Sequence, residues 1–246
     1  MPIEAVQSIH LERDGSGVIF RQVFYRSEIT KVVRWFETRS GREPSGFPIN
    51  ESKLRSAAAG FGTGVTFLSA QPQTSEKGWE GYGVIYSFDD INQVRISHGD
   101  NDSSCGSDCG GNTNITFSLV EDMLEINLPQ ENPAREPIEK SMVQTQTSHQ
   151  GGTLPKWILS VFNGFRIATA LIVESGIKAT DATYVNRDSI VLLDIAFTPL
   201  FKSVDFPEIL EKLKQSQNLE DLKSIVRDLD GLRIEMQPVV RVQLDG

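Results

Sequence analysis

The sequence predicts one α+β domain with a mostly antiparallel sheet, an N-terminal hairpin plus a meander. A long buried central helix and a C-terminal strand-helix-helix-strand element complete it. Three observations predict this. Between Val65 and Leu128, apolar residues shift towards period two, the spacing of half-buried strands. Trp157–Val173 (WILSVFNGFRIATALIV) is apolar on nearly every side, with Arg166 its only charge, and reads as a helix enclosed in a core. Beyond it come a continuous apolar run, two amphipathic stretches and a final alternating segment.

Taken in order, Ile9 and Leu11 lead into the turn-rich Arg13–Gly17, after which Val18, Phe20, Gln22 and Phe24 alternate with Ile19, Arg21, Val23 and Tyr25. Both faces of that second strand carry apolar residues, so it is expected to be covered on both sides. Ser27 is placed to cap a helix striped by Ile29, Val32, Val33 and Phe36, and Asn50 a shorter one turned inward by Leu54, Ala57 and Ala58 and stopped at Gly60. Five short strands follow. They lie at Val65–Ala70, Tyr82–Phe88, Val94–Ile96, Ile115–Leu119 and Leu124–Leu128, with Gln71–Trp79 as a polar loop.

Pro129–Thr153 is polar and poor in large apolar residues, hence a linker or mobile loop with one edge strand near Met142–Thr147. It divides a β-rich portion, 1–128, from an α/β portion, 154–246, packed on it in one compact domain. After the central helix, Ile177–Tyr184 and the apolar run Ser189–Thr198 read as strands, the latter buried on both faces. Asp205 and Asn218 are placed to cap two helices, and Leu232 to Leu244 alternates to the end with Pro238 on the same register, which marks an edge strand or a bulge.

The formal net charge of −9 argues against a nucleic-acid binder acting through its whole surface. The charge is uneven: residues 13–55 hold nine Lys/Arg (Arg13, Arg21, Arg26, Lys31, Arg34, Arg39, Arg42, Lys53, Arg55) against five acids, and residues 76–140 thirteen acids against four bases. Two oppositely charged faces suit head-to-tail self-association or docking on a charged protein, and the basic region also suits an anionic membrane. The N-terminal residues lack a basic, then apolar, secretory pattern, and two cysteines make no disulfide framework, so the expected setting is the cytoplasm.

The loop from His98 to Gly111 is the most unusual stretch. Asp100, Asp102, Ser104 and Asp108 stand at alternate positions of a calcium-loop spacing, but the glycine falls one residue late and Gly111 occupies the place of the bidentate Glu. Cys105, Cys109 and His98 offer three soft ligands to zinc without an evident fourth, and a local Cys105–Cys109 disulfide is sterically conceivable. The glycines of Gly60–Gly64 follow a helix instead of preceding one, so they read as a helix end and tight turn, not a dinucleotide loop.

No nucleophile–base pattern surrounds His10, His98 or His149, and neither a phosphate loop nor a His-Glu-x-x-His helix is present. Glu51-Ser52-Lys53 has a nuclease-like form at the wrong place, a helix start. As a membrane span, Trp157–Val173 is marginal: ~17 residues is the short limit for ~30 Å of hydrocarbon, and a central Arg costs about 3 kcal/mol. Enclosed in a core, Arg166 needs a carboxylate, and Asp194 on the neighbouring strand is the expected partner.

The sequence therefore points to a non-catalytic cytoplasmic binding or effector protein acting through charged-surface protein–protein contacts, with self-association among them. The alternatives are a membrane-active effector, lipid-binding or pore-forming, and a metal-dependent enzyme or metal-stabilised domain using the 98–111 loop.

Overall fold

A computed structural model describes residues 4–26, 49–97, 114–129, 164–202 and 229–245. Two sheets share one hydrophobic core. The larger begins with the expected hairpin, β1 (Glu4–Leu11) and β2 (Gly17–Tyr25), joined by a turn in which Glu12 and Ser16 close the backbone and Gly15 takes φ +87°. Next come β3 (Thr66–Thr74) and β4 (Glu80–Phe88) on one side of the hairpin. On its other side lie β8 (Arg166–Val173) and then β11 (Ser189–Ala196). The short strands β10 (Val185–Asn186) and β12 (Leu232–Ile234) share the outer edge of β11.

The smaller sheet runs β5 (Arg95–Ser97), β6 (Asn114–Val120), β7 (Met123–Asn127), β13 (Val239–Leu244), β9 (Ile177–Thr180). Its pattern follows from having one face in water. Ile96, Ile115, Phe117, Leu124, Ile126, Val240, Val242 and Leu244 are buried, while Thr116, Glu125 and Arg241 alternate outward. Arg241 lies directly opposite Glu125 and its Nε donates to Glu125 Oε1 at 3.1 Å.

Against these inner residues pack Ile9, Leu11, Ile19, Val84, Tyr86, Phe88, Leu171, Val173, Ile190 and Leu192 of the larger sheet. Fully burying a Leu, Ile or Phe side chain stabilises by about 1.5–3 kcal/mol, so a shared core of this extent holds the two sheets as one unit. The larger sheet buries residues on its other face as well: Phe24 is 7% and Ala168 8% exposed. On the outer face of β2 only Phe24 is buried, while Val18, Phe20 and Gln22 are half-buried, so the expected cover on both faces is found only at one end of the strand.

The predicted fold class is corrected: the described chain is mostly β. There is no long buried central helix in the described half of Trp157–Val173, because Arg166–Val173 is strand β8, parallel to β1 in the register Glu4↔Arg166 to Leu11↔Val173. A strand buried on both faces shows no period, so it cannot be told from a buried helix by hydrophobicity alone. The β-branched Ile167, Thr169, Ile172 and Val173 favour the strand, and Gly164, at φ +84°, turns the chain just before it. Residues 157–163 lie outside the described residues.

The C-terminal strand-helix-helix-strand element is corrected in the same way. Its terminal alternation is split at Pro238 between β12 in the larger sheet and β13 in the smaller, where one strand, at an edge or bent by a bulge, was expected. The strand expected over Ser189–Thr198 stops at Ala196 and runs into a short helix, α2 (Phe197–Lys202). The strand expected over Ile177–Tyr184 ends at Thr180, and Gln71–Thr74, expected in a loop, extend β3. The helices expected from Ser27, Asp205 and Asn218, and the edge strand near Met142–Thr147, fall outside the described residues.

Helix α1 (Glu51–Ala57) forms as expected, with the Asn50 side chain accepting from the Lys53 N–H at 2.9 Å. It is not stopped by Gly60. A 3-10 turn carries it on through Ala58–Phe61, and Gly62 ends it at φ +123°. A Cβ on Gly62 would stand 1.9 Å from the Gln93 carbonyl oxygen, so this bridge to Val94 requires glycine.

Candidate functional site

Among the described residues of the predicted basic surface, Arg13 and Arg55 have carboxylate partners. Arg13 in the β1–β2 turn lies 3.6 Å from Asp122, and Arg55 lies 3.3 Å from Glu51 while its guanidinium covers the Phe67 ring at 4.4 Å. Arg26 and Lys53 make further contacts of their own. Lys31, Arg34, Arg39 and Arg42 lie outside the described residues, as does the whole loop of His98, Asp100, Asp102, Ser104, Cys105, Asp108 and Cys109. Among the described residues no three His, Cys, Asp or Glu side chains gather as a metal site.

Arg21 differs. Alternation on β2 points it to the inner face of the larger sheet, opposite Gln7 on β1, which is in turn opposite Thr169 on β8. These three form a polar row across the central strands, one residue pair beyond the core residues Ile9, Ile19 and Leu171. Arg21 is half-buried and makes no hydrogen bond or ion pair with any described residue, and the Gln7 Nε2 is buried without a partner. Thr169 is 7% exposed. Tyr86 stands one pair further in; burial pushes its phenol up to about 12, against the pull of the nearby Arg21 charge. The row thus presents the Arg21 guanidinium and the Gln7 Nε2 as donors without a hydrogen-bond partner among the described residues, an arrangement suited to a carboxylate or phosphate.

The outer face of the same sheet carries an ion-paired cluster and a hydrogen-bonded one. At one end Arg166 Nε and Nη2 donate to Asp194 Oδ1 and Oδ2 at 2.9 and 3.1 Å, with Glu4 Oε1 3.8 Å from Nη1. The partner expected for Arg166 is therefore the one present, across neighbouring strands. Its hydrogen bond to Asp194 raises the Arg166 pKa above the ordinary value, against burial.

At the other end, Ser8 Oγ is 3.0 Å from His10 Nε2, and His10 Nδ1 is 2.7 Å from Glu174 Oε1. The carboxylate only accepts, so Nδ1 donates to it; in neutral His10 this leaves Nε2 to accept from the Ser8 hydroxyl. Ser8 and His10 share a face because they are two apart on a strand, and Glu174 follows β8, whose parallel pairing with β1 sets it beside His10. The sequence reading found no nucleophile–base pattern here. The only local signal is Ser-x-His on an alternating strand; the acid is 164 residues away and comes into place only through the sheet register.

No protein-family model matches the chain, and no curated protein does. The folded domain of LppM from Mycobacterium tuberculosis, solved by NMR, is similar at 11% identity over 76% of this chain and 79% of that one, with a TM-score of 0.30. A likeness of that degree carries no argument about function. Among the described residues no helix is long and apolar enough to cross a membrane.

Proposed function

We propose that the protein is a binding module that docks an acidic segment of a partner protein on Arg21. The observation that carries this reading is a half-buried guanidinium with no acceptor among the described residues, beside a buried Gln7 Nε2 without a partner. A partly desolvated cation is costly unless paired, so a carboxylate arriving at this row gains charge-assisted hydrogen bonds that nothing in the described chain supplies. The other described basic residues between 13 and 55, Arg13, Arg26, Lys53 and Arg55, have interactions of their own, which singles out Arg21 within that region. The cytoplasm remains the proposed setting, supported by the two-cysteine composition.

Titration of isotope-labelled protein with a hexaglutamate peptide tests the proposal. Saturable shifts of the Arg21 Nε and Gln7 side-chain resonances are expected, weakening as salt is raised and absent in Arg21→Gln. Unchanged resonances at low salt would overturn it.

A further inference from the structure

The Ser8, His10 and Glu174 side chains form a hydrogen-bonded relay of nucleophile, base and orienting acid that the binding role does not use. We propose that Ser8 is an acylatable nucleophile, and that this relay hydrolyses small carboxylic esters with a good leaving group at the outer face of the larger sheet.

The placement supports access. The side chains of His10 and Glu174 are 31% and 43% exposed, so a small molecule reaches the relay from solvent. Ser8 lies between Phe20 on β2 and Ala170 on β8, and His10 between Val18 and Ile172. These flanks are apolar, and Ala170 leaves room beside the hydroxyl, which fits a short apolar acyl group.

The chemistry balances with water as the only co-reactant. Ser8 Oγ attacks the ester carbonyl carbon while its proton passes to His10 Nε2. Glu174 holds the resulting imidazolium through Nδ1. The tetrahedral adduct collapses, the bond to the alcohol oxygen breaks, and His10 returns the proton to that oxygen, leaving acyl-Ser8. Water then attacks the acyl carbon by the same proton route, releasing the carboxylic acid and restoring Ser8.

The ladder limits what this relay can do. β1 is hydrogen-bonded along both edges, to β2 and β8, so its backbone N–H groups are not free to form an oxyanion hole. Gln22, diagonal to Ser8 on the same face, gives one amide N–H to Gln73 Oε1 at 2.8 Å and retains a second for the developing oxyanion. A site with one side-chain donor suits activated esters and not amides.

The test uses the full chain with a fluorophosphonate probe and p-nitrophenyl acetate. The probe is expected to add once to the wild type, at Ser8 by peptide mass, and not to Ser8→Ala. His10→Gln should slow labelling by about 100-fold or more, and Glu174→Gln should slow it by a smaller factor. Labelling of the wild type should be unchanged by excess hexaglutamate peptide, which separates this proposal from the binding role. Thermal melting checks that each variant is folded. No addition to Ser8 in the folded wild type, or ester hydrolysis by folded Ser8→Ala at the wild-type rate, would overturn it.

Discussion

Tyr86 shows how one side chain links the inner core to solution conditions. It is 1% exposed, packs its ring 4.9 Å from that of Phe61, and donates its hydroxyl to the Leu54 carbonyl at 3.3 Å. Its pKa rises from 10.0 to about 12 in the folded state, chiefly through burial. An unfolded chain ionises this phenol first, so the stability tied to the neutral form is complete below pH 10 and is lost as pH climbs from about 10 to about 12. In an absorbance titration at 295 nm, one of the four tyrosines should titrate late, near 12, or together with unfolding. Tyr86→Phe should remove that late step and cost about 1 kcal/mol at neutral pH, read by urea denaturation, through the lost hydrogen bond.

Among elements, the crossover between β12 and β13 hangs on Glu235. This carboxylate is 5% exposed and accepts from the Thr183 N–H at 2.6 Å, the Thr183 hydroxyl at 3.0 Å, and the Met236 and Gln237 N–H groups at 3.1 and 3.2 Å. Four donors satisfy a charge that would otherwise be destabilising in the interior. Glu235→Ala leaves them without an acceptor and should lower unfolding stability by roughly 2–4 kcal/mol in urea melts.

The same scale explains what the sequence made legible. Ile115, Phe117, Leu124 and Ile126 alternate with polar neighbours because one face of their sheet meets water, so their strands could be read directly. The Asn50 cap announced α1 for an equally local reason. β8 was read as helix because both its faces are covered, and the division of the five-strand run between two sheets left no local mark. Of the candidate sites, Arg21 was visible only as one of nine bases, since its isolation depends on which neighbours face it. The Ser8–His10–Glu174 relay was invisible because its acid is fixed by pairing between remote strands.

At the scale of the molecule, the two sheets interleave along the chain. β1 to β4 build the larger, β5 to β7 the smaller, β8 returns to the larger, β9 to the smaller, and β12 and β13 take one each. Neither sheet is complete without the other's portion of chain, and a single core cluster joins them. The described fold should therefore unfold as one cooperative unit. Tryptophan fluorescence and far-ultraviolet circular dichroism should give superimposable urea transitions. Two separated transitions would mean that the sheets are independently stable.

The parallel pairing of β1 with β8 has a further consequence, for the order in which the chain is made. The N-terminal hairpin leaves the ribosome early, but one edge of β1 has no partner until residues 166–173 follow it. At about 5–20 residues per second, that edge stays open for on the order of ten seconds during synthesis. An unpaired strand edge is a template for pairing with other chains, and Glu4, Gln7, Ser8 and His10 place polar groups along it during that interval. The residues that form the relay and the polar row in the finished sheet thus also stand on the strand most exposed to aggregation in the nascent chain.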